Sequence, residues 1–89
     1  MADGFQTLDF TPEFLQNLAR MSVADGKKIV KALDLLDANE KTPSLQVHQL
    51  SGELAGVWSA RASKGLRITF KRTTSGRKVM LTCNQHYND

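Results

Sequence analysis

Residues 48–70, HQLSGELAGVWSARASKGLRITF, constrain the fold of this chain more than any other stretch, because they alternate with the period of a β-strand on both sides of a tight break. Trp58, Ala60 and Ala62 alternate with Val57, Ser59 and Arg61; after Ser63-Lys64-Gly65, Leu66, Ile68 and Phe70 alternate with Arg67, Thr69 and Lys71. Successive side chains of a strand point to opposite faces, so the pattern predicts a hairpin with one covered face. With the bulky set turned to the core, Arg61 and Arg67 share the open face. Two guanidinium groups fixed side by side on a sheet, rather than on loops, make a ready site for phosphate.

The covered face needs a partner, and the preceding sequence supplies helices. Thr11-Pro12-Glu13 is a helix start with a mechanism: the threonine oxygen can cap, proline is tolerated at the first helical position, and glutamate suits the positive end of the dipole. Phe14, Leu15, Leu18 and Met21 then form one stripe of a short helix. Ser22, with Asp25 three residues on, resembles a capping box and opens a second helix carrying Val23, Ile29, Val30, Leu33 and Leu36 on one side. Thr42-Pro43 forbids easy continuation, so that helix should stop around Asn39. Residues 5–8 read as an edge strand. Downstream, 45–50 is an approach segment and 54–62, 66–72 and 77–84 are strands, the last two joined by Thr73-Thr74-Ser75-Gly76. In the last strand Val79, Leu81 and Cys83 alternate with Met80, Thr82 and Asn84.

Eighty-nine residues fit one small domain spanning 1–89. No apolar run approaches the roughly 20 residues needed to cross a bilayer, and the start, MADGFQTLDF, lacks the basic and apolar regions of a secretory signal. The lone cysteine, Cys83, precludes an internal disulfide, which fits a reducing cytoplasm. It reads as a small buried residue rather than a reactive thiol, since no CxxC partner exists. Two histidines and one cysteine lack the spacing of a zinc site, and no metal is expected. Charge is uneven: residues 1–45 carry seven acids and five bases, residues 46–89 two acids and seven bases. A partner of opposite charge, nucleic acid or an acidic protein, should therefore dock on the C-terminal half, unless that charge is simply a solvated face.

The segment Leu-Ala-Gly-Val-Trp-Ser-Ala-Arg at 54–61, the strand Gly-Leu-Arg-Ile-Thr-Phe at 65–70 and the terminal His86-Tyr87 resemble the RelE/ParE superfamily of bacterial toxin–antitoxin toxins, nearest to its RelE, YoeB and HigB-like branches. The resemblance covers nearly the whole chain. It implies an α+β fold with two N-terminal helices packed on one face of a small, mainly antiparallel twisted sheet. It also implies a toxin that enters the ribosomal decoding site of the small (30S) subunit and cuts messenger RNA without a metal or any other cofactor. The partners implied are a cognate antitoxin protein and messenger RNA on the ribosome, with no membrane.

The ribose 2′-hydroxyl is the nucleophile in that chemistry, so the enzyme must remove its proton, stabilise charge on the phosphate and protonate the leaving 5′-oxygen. By resemblance, Arg67 is the phosphate-binding arginine and Arg61 a second basic residue beside it. His86 matches a histidine that precedes a terminal aromatic and is the implied general acid. Tyr87 matches that aromatic, available to stack on a base or orient the phosphate. An alignment anchored on Trp58 brings His48 to the position of a YoeB-like glutamate and makes it the candidate general base. Lys64 and Lys71 are candidate RNA-binding residues, although they do not reproduce the several lysines around the RelE cleft. The chain also ends differently from many HigB-like relatives. Independently of resemblance, imidazole has an unperturbed pKa of about 6.5, so two histidines near two arginines suit acid–base work on RNA; the alternative is that both are merely solvated. Two other functions share the expected fold: a ParE-like toxin that inhibits DNA gyrase without nuclease activity, and a non-toxic interaction module.

Overall fold

The computed structural model describes residues 4–85. Along the chain these form β1 (Leu8–Phe10), α1 (Pro12–Ala19), α2 (Val23–Ala38), β2 (His48–Gln49), β3 (Trp58–Ser63), β4 (Leu66–Arg72) and β5 (Lys78–Gln85), with 3-10 turns at Pro43–Leu45 and Gly52–Leu54. The strands make one sheet in the order β1-β5-β4-β3-β2. Strand β1 runs parallel to β5, and every other neighbouring pair is antiparallel. This is the expected α+β architecture, with α1 and α2 packed on one face of the sheet.

Both helices start where their caps require. The Thr11 hydroxyl accepts from the Phe14 amide at 3.1 Å and donates to the Met80 carbonyl at 3.0 Å, so one side chain begins α1 and ties it to β5. The Ser22 hydroxyl accepts from the Asp25 amide at 3.1 Å and begins α2. The buried seam of α2 is Ile29, Ala32, Leu33 and Leu36, the spacing of one helical face. Val23 and Val30 do not join it: they are 76% and 44% exposed, one residue round the helix from Ile29's line, and Leu15 on α1 is 52% exposed.

The remaining departures from the expected strands have local causes. The N-terminal strand forms at Leu8–Phe10 rather than at 5–8 because the Asp37 carboxylate takes the Gln6 and Thr7 amides at 2.9 and 2.7 Å and the Thr7 hydroxyl at 2.6 Å. Those donors are spent on the end of α2 before the ladder begins. Strand β3 begins at Trp58 rather than at 54, because the Gly52–Leu54 turn and Gly56, with φ at +90°, bend the chain first. In β5, Thr69 pairs with Thr82 while Phe70 pairs with Met80, which leaves Leu81 as an extra, bulged residue. The simple alternation of that strand is thereby broken, and Met80 and Cys83 both face the core.

The buried apolar residues form one cluster. Phe14, Ile29, Leu33 and Leu36 come from the helices, and Ala60, Ile68, Phe70, Met80 and Cys83 from the sheet. Burying a side chain of this size contributes about 1.5–3 kcal/mol. At the edge of the cluster Lys78 is buried as well, its ammonium donating to the Thr7 hydroxyl at 3.1 Å and lying 3.7 Å from Glu40. Glu40 also accepts from both terminal guanidinium nitrogens of Arg72, at 3.0 and 2.6 Å, and that guanidinium lies 4.1 Å from the centre of the Trp58 ring.

Candidate active site

The face of the sheet turned away from the helices carries the candidate residues, and the strand register arranges them in rows. Arg61 of β3 pairs with Arg67 of β4, which pairs with Asn84 of β5. In the neighbouring row His48 of β2 pairs with Ser59, Ser59 with Thr69, and Thr69 with Thr82. Directly paired residues present their side chains on the same face about 5 Å apart, and the next residue on that face lies roughly 6.7 Å along the strand. The expectation that Arg61 and Arg67 stand side by side therefore holds.

The tight turn after β3 fixes both arginines. Arg67 Nη1 donates to the Ser63 carbonyl at 3.1 Å and to the Lys64 and Leu66 carbonyls at 3.4 Å. Arg61 Nε donates to the same Ser63 carbonyl at 3.4 Å. Two like charges thus converge on one carbonyl, whose partial negative charge offsets part of their repulsion. Holding the guanidinium groups before any ligand arrives lowers the entropic cost of binding an oxyanion.

His48 sits on the edge strand, exposed, with Nδ1 2.9 Å from the Gln46 carbonyl. A carbonyl can only accept, so Nδ1 carries the proton, and in the neutral ring Nε2 is the nitrogen with the lone pair. In that tautomer the lone pair lies on the ring nitrogen not engaged by Gln46. Gln46 itself has φ +47° and ψ +47°, the left-handed region that a residue with a Cβ seldom occupies, and this conformation brings its carbonyl to His48.

Lys64 lies in the exposed turn next to the arginine pair. Lys71 is on the same face at the far end of β4, four residues or about 13 Å from Arg67, and does not join the pair. His86 and Tyr87 lie outside the described residues. Gln85, which pairs with Leu66, and Asn84, which pairs with Arg67, are the end of β5.

Ion pairing divides the basic residues of the C-terminal half. Arg72, Arg77 and Lys78 are matched by Glu40 and Asp9: Arg77 Nε donates to Asp9 at 2.8 Å, and its remaining nitrogens reach the Gln6 and Leu8 carbonyls. The hydrogen bond from Arg77 holds the Asp9 carboxyl below its usual range, and that from Arg72 does the same for Glu40. Arg61, Lys64 and Lys71 have no carboxylate partner among the described residues, so their positive charge stands unneutralised on or beside the open face. Cys83 is on the other side, buried, and burial pushes its thiol up to about 11. The raised value favours the protonated thiol at neutral pH, as expected of a small buried residue.

Sequence reasoning missed Ser59, Thr69 and Thr82 as members of the site, although period-two alternation already put Ser59 beside Arg61 and Thr69 beside Arg67. What joins them is register across strands, and the Leu81 bulge that brings Thr82 opposite Thr69 leaves no mark in a pattern of apolar and polar residues.

No family model and no curated protein matches the sequence. Solved structures do match along nearly its whole length. A YoeB/ParE toxin from Agrobacterium tumefaciens superposes with a TM-score of 0.73 at 20% identity, covering 92% of this chain and 100% of its own. The archaeal RelE–RelB complex from Pyrococcus horikoshii OT3 gives 0.73 at 13% identity, over 97% of this chain and 100% of its own. The YoeB–YefM complex from Staphylococcus aureus gives 0.71 at 19% identity, over 94% and 100%. The chain has the RelE/ParE toxin fold. With identities this low the likeness speaks for the backbone, and the chemistry rests on the side chains this RelE/ParE fold displays here.

Proposed function

We propose that this protein is the toxin of a toxin–antitoxin pair and acts in the cytoplasm as a ribosome-dependent messenger RNA endoribonuclease. The observation that carries this reading is the Arg61–Arg67 pair, held by the Ser63 carbonyl on the open face, with the His48 Nε2 lone pair on the same face. Arg67 and Arg61 bind the scissile phosphate, and Lys64 adds positive charge at the turn. His48 removes the proton of the 2′-hydroxyl as its oxygen bonds to phosphorus. The arginines stabilise the charge that builds on the phosphoryl oxygens, and the bond from phosphorus to the 5′-oxygen breaks. His86 protonates that oxygen, leaving a 2′,3′-cyclic phosphate and a free 5′-hydroxyl, and Tyr87 stacks on a base or orients the phosphate. None of these steps assigns a role to a metal.

The antitoxin as partner is supported by two of the similar structures, which are themselves toxin–antitoxin complexes, and by the exposed Leu15, Val23 and Val30 on the helices. Expression without an antitoxin should arrest growth with cleaved messenger RNA and normal DNA supercoiling. Arg67→Ala should relieve the arrest while keeping the wild-type melting temperature within a few degrees. A folded Arg67→Ala protein that remains fully toxic removes Arg67 from the mechanism, and altered supercoiling with intact messenger RNA replaces the nuclease by a gyrase poison.

A further inference from the structure

Next to the arginines runs a row that carries hydroxyls instead of charges. Ser59, Thr69 and Thr82 are successive cross-strand partners on β3, β4 and β5, with His48 closing the row on β2. Thr69 Oγ1 and Thr82 Oγ1 are 2.6 Å apart, so one proton lies between them. Whichever hydroxyl donates, the other keeps its own proton for a further acceptor, and neither has a second partner among the described residues. Ser59 is only 6% exposed, and its hydroxyl bonds to none of the described residues. Since no buried side-chain polar atom among those residues lacks a partner, the Ser59 oxygen retains contact with the surface of this face.

Hydroxyls and guanidinium groups ask for different ligands. A guanidinium only donates and matches the acceptor oxygens of a phosphate, whereas a hydroxyl donates and accepts at once. On a ribose–phosphate strand the group with that double character is the 2′-hydroxyl, which is also what distinguishes RNA from DNA. The hydroxyl row lies one same-face step, about 6.7 Å, from the arginine row, close enough for neighbouring groups of one strand to touch both. We propose that Ser59, Thr69 and Thr82 form a ribose-reading row that hydrogen-bonds the 2′-hydroxyl of a nucleotide adjacent to the one whose phosphate Arg61 and Arg67 bind. This face would then select RNA over DNA at a sugar that takes no part in the chemistry. The inference rests on the ribonuclease reading and names the part of the substrate recognised beside the scissile phosphate.

Oligo(U) and oligo(dU) differ only in their 2′-hydroxyls, and their binding to the full chain can be compared by fluorescence anisotropy at one fixed salt concentration. The wild type should prefer oligo(U). Thr69→Val with Thr82→Val keeps the β-branched shape and removes both hydroxyls; it should lose about three- to tenfold in affinity for oligo(U) and none for oligo(dU). Ser59→Ala should act in the same direction. Thr69→Ser with Thr82→Ser, which restores the hydroxyls, should retain the wild-type preference. An unchanged RNA-to-DNA ratio in the double valine variant, or an equal loss on both strands, overturns the proposal, as does a double serine variant that loses the preference. Messenger RNA cleavage by the wild type in cells is the parallel measurement. If cleavage is present and the ratio does not move, the row alone is refuted; if the wild type neither cleaves nor discriminates, the ribonuclease reading falls with it.

Discussion

Gln46 is the one non-glycine residue with positive φ among the described residues, and its carbonyl fixes the tautomer of His48. A side chain with a Cβ in the left-handed region costs about 1–2 kcal/mol, and glycine relieves that strain at some expense in unfolded-chain entropy. Gln46→Gly should therefore raise stability by up to about 1 kcal/mol in urea denaturation; an unchanged or lower midpoint would mean that the strain is not there. At His48 the expectation concerns rate instead. A base and an acid acting together give a bell-shaped pH profile, and His48→Ala should lose the acidic limb, where the base must shed its proton before it can act. A profile of unchanged shape removes His48 as the base.

Among the elements, β4 was legible in full: the alternation from Leu66 to Lys71 predicted both its limits and its buried face. The helix starts were legible too, because Thr11 and Ser22 act through bonds three residues away. The N-terminal strand was not, since its place is set by Asp37, 30 residues distant from Thr7. Partial burial works to raise the Asp37 carboxyl, yet the Thr7 hydroxyl, the Gln6 and Thr7 amides and the charge of Lys78 hold it below the usual range. A carboxylate whose folded value is depressed contributes stability above its unfolded value and loses it as pH falls through the folded one. Stability should thus fall as pH drops below about 4, with Asp9, Asp37 and Glu40 contributing. Asp37→Asn should cost about 1 kcal/mol at neutral pH and make the acid-side decline shallower. A decline as steep as that of the wild type would show that the β1 clasp does not depend on this charge.

For the whole molecule, a formal charge of +3 understates the field that a ligand meets, because Arg72, Arg77 and Lys78 are taken up by carboxylates while Arg61, Lys64 and Lys71 lie on or beside the open face. Composition revealed the excess in the C-terminal half but not this division, which depends on contacts between distant parts of the chain such as Arg77 with Asp9. The three phosphate contacts proposed for Arg61, Lys64 and Arg67 predict that the logarithm of single-stranded RNA affinity falls with the logarithm of salt at a slope of about −2. Arg72→Gln should leave that slope unchanged while lowering the melting temperature, and a slope shifted by a full unit in this variant would place Arg72 on the RNA. Strand β5 sits inside the sheet, between β1 and β4, and Thr11 reaches it at Met80 across 69 residues. During synthesis from the N-terminus, at about 5–20 residues per second, the helices emerge long before the strand that completes their floor. The hydroxyl row then lacks Thr82, and Arg67 lacks its neighbour Asn84. A nascent chain therefore cannot assemble this open face until β5 has left the exit tunnel, so the order of the strands makes the face the last part of the fold to be completed.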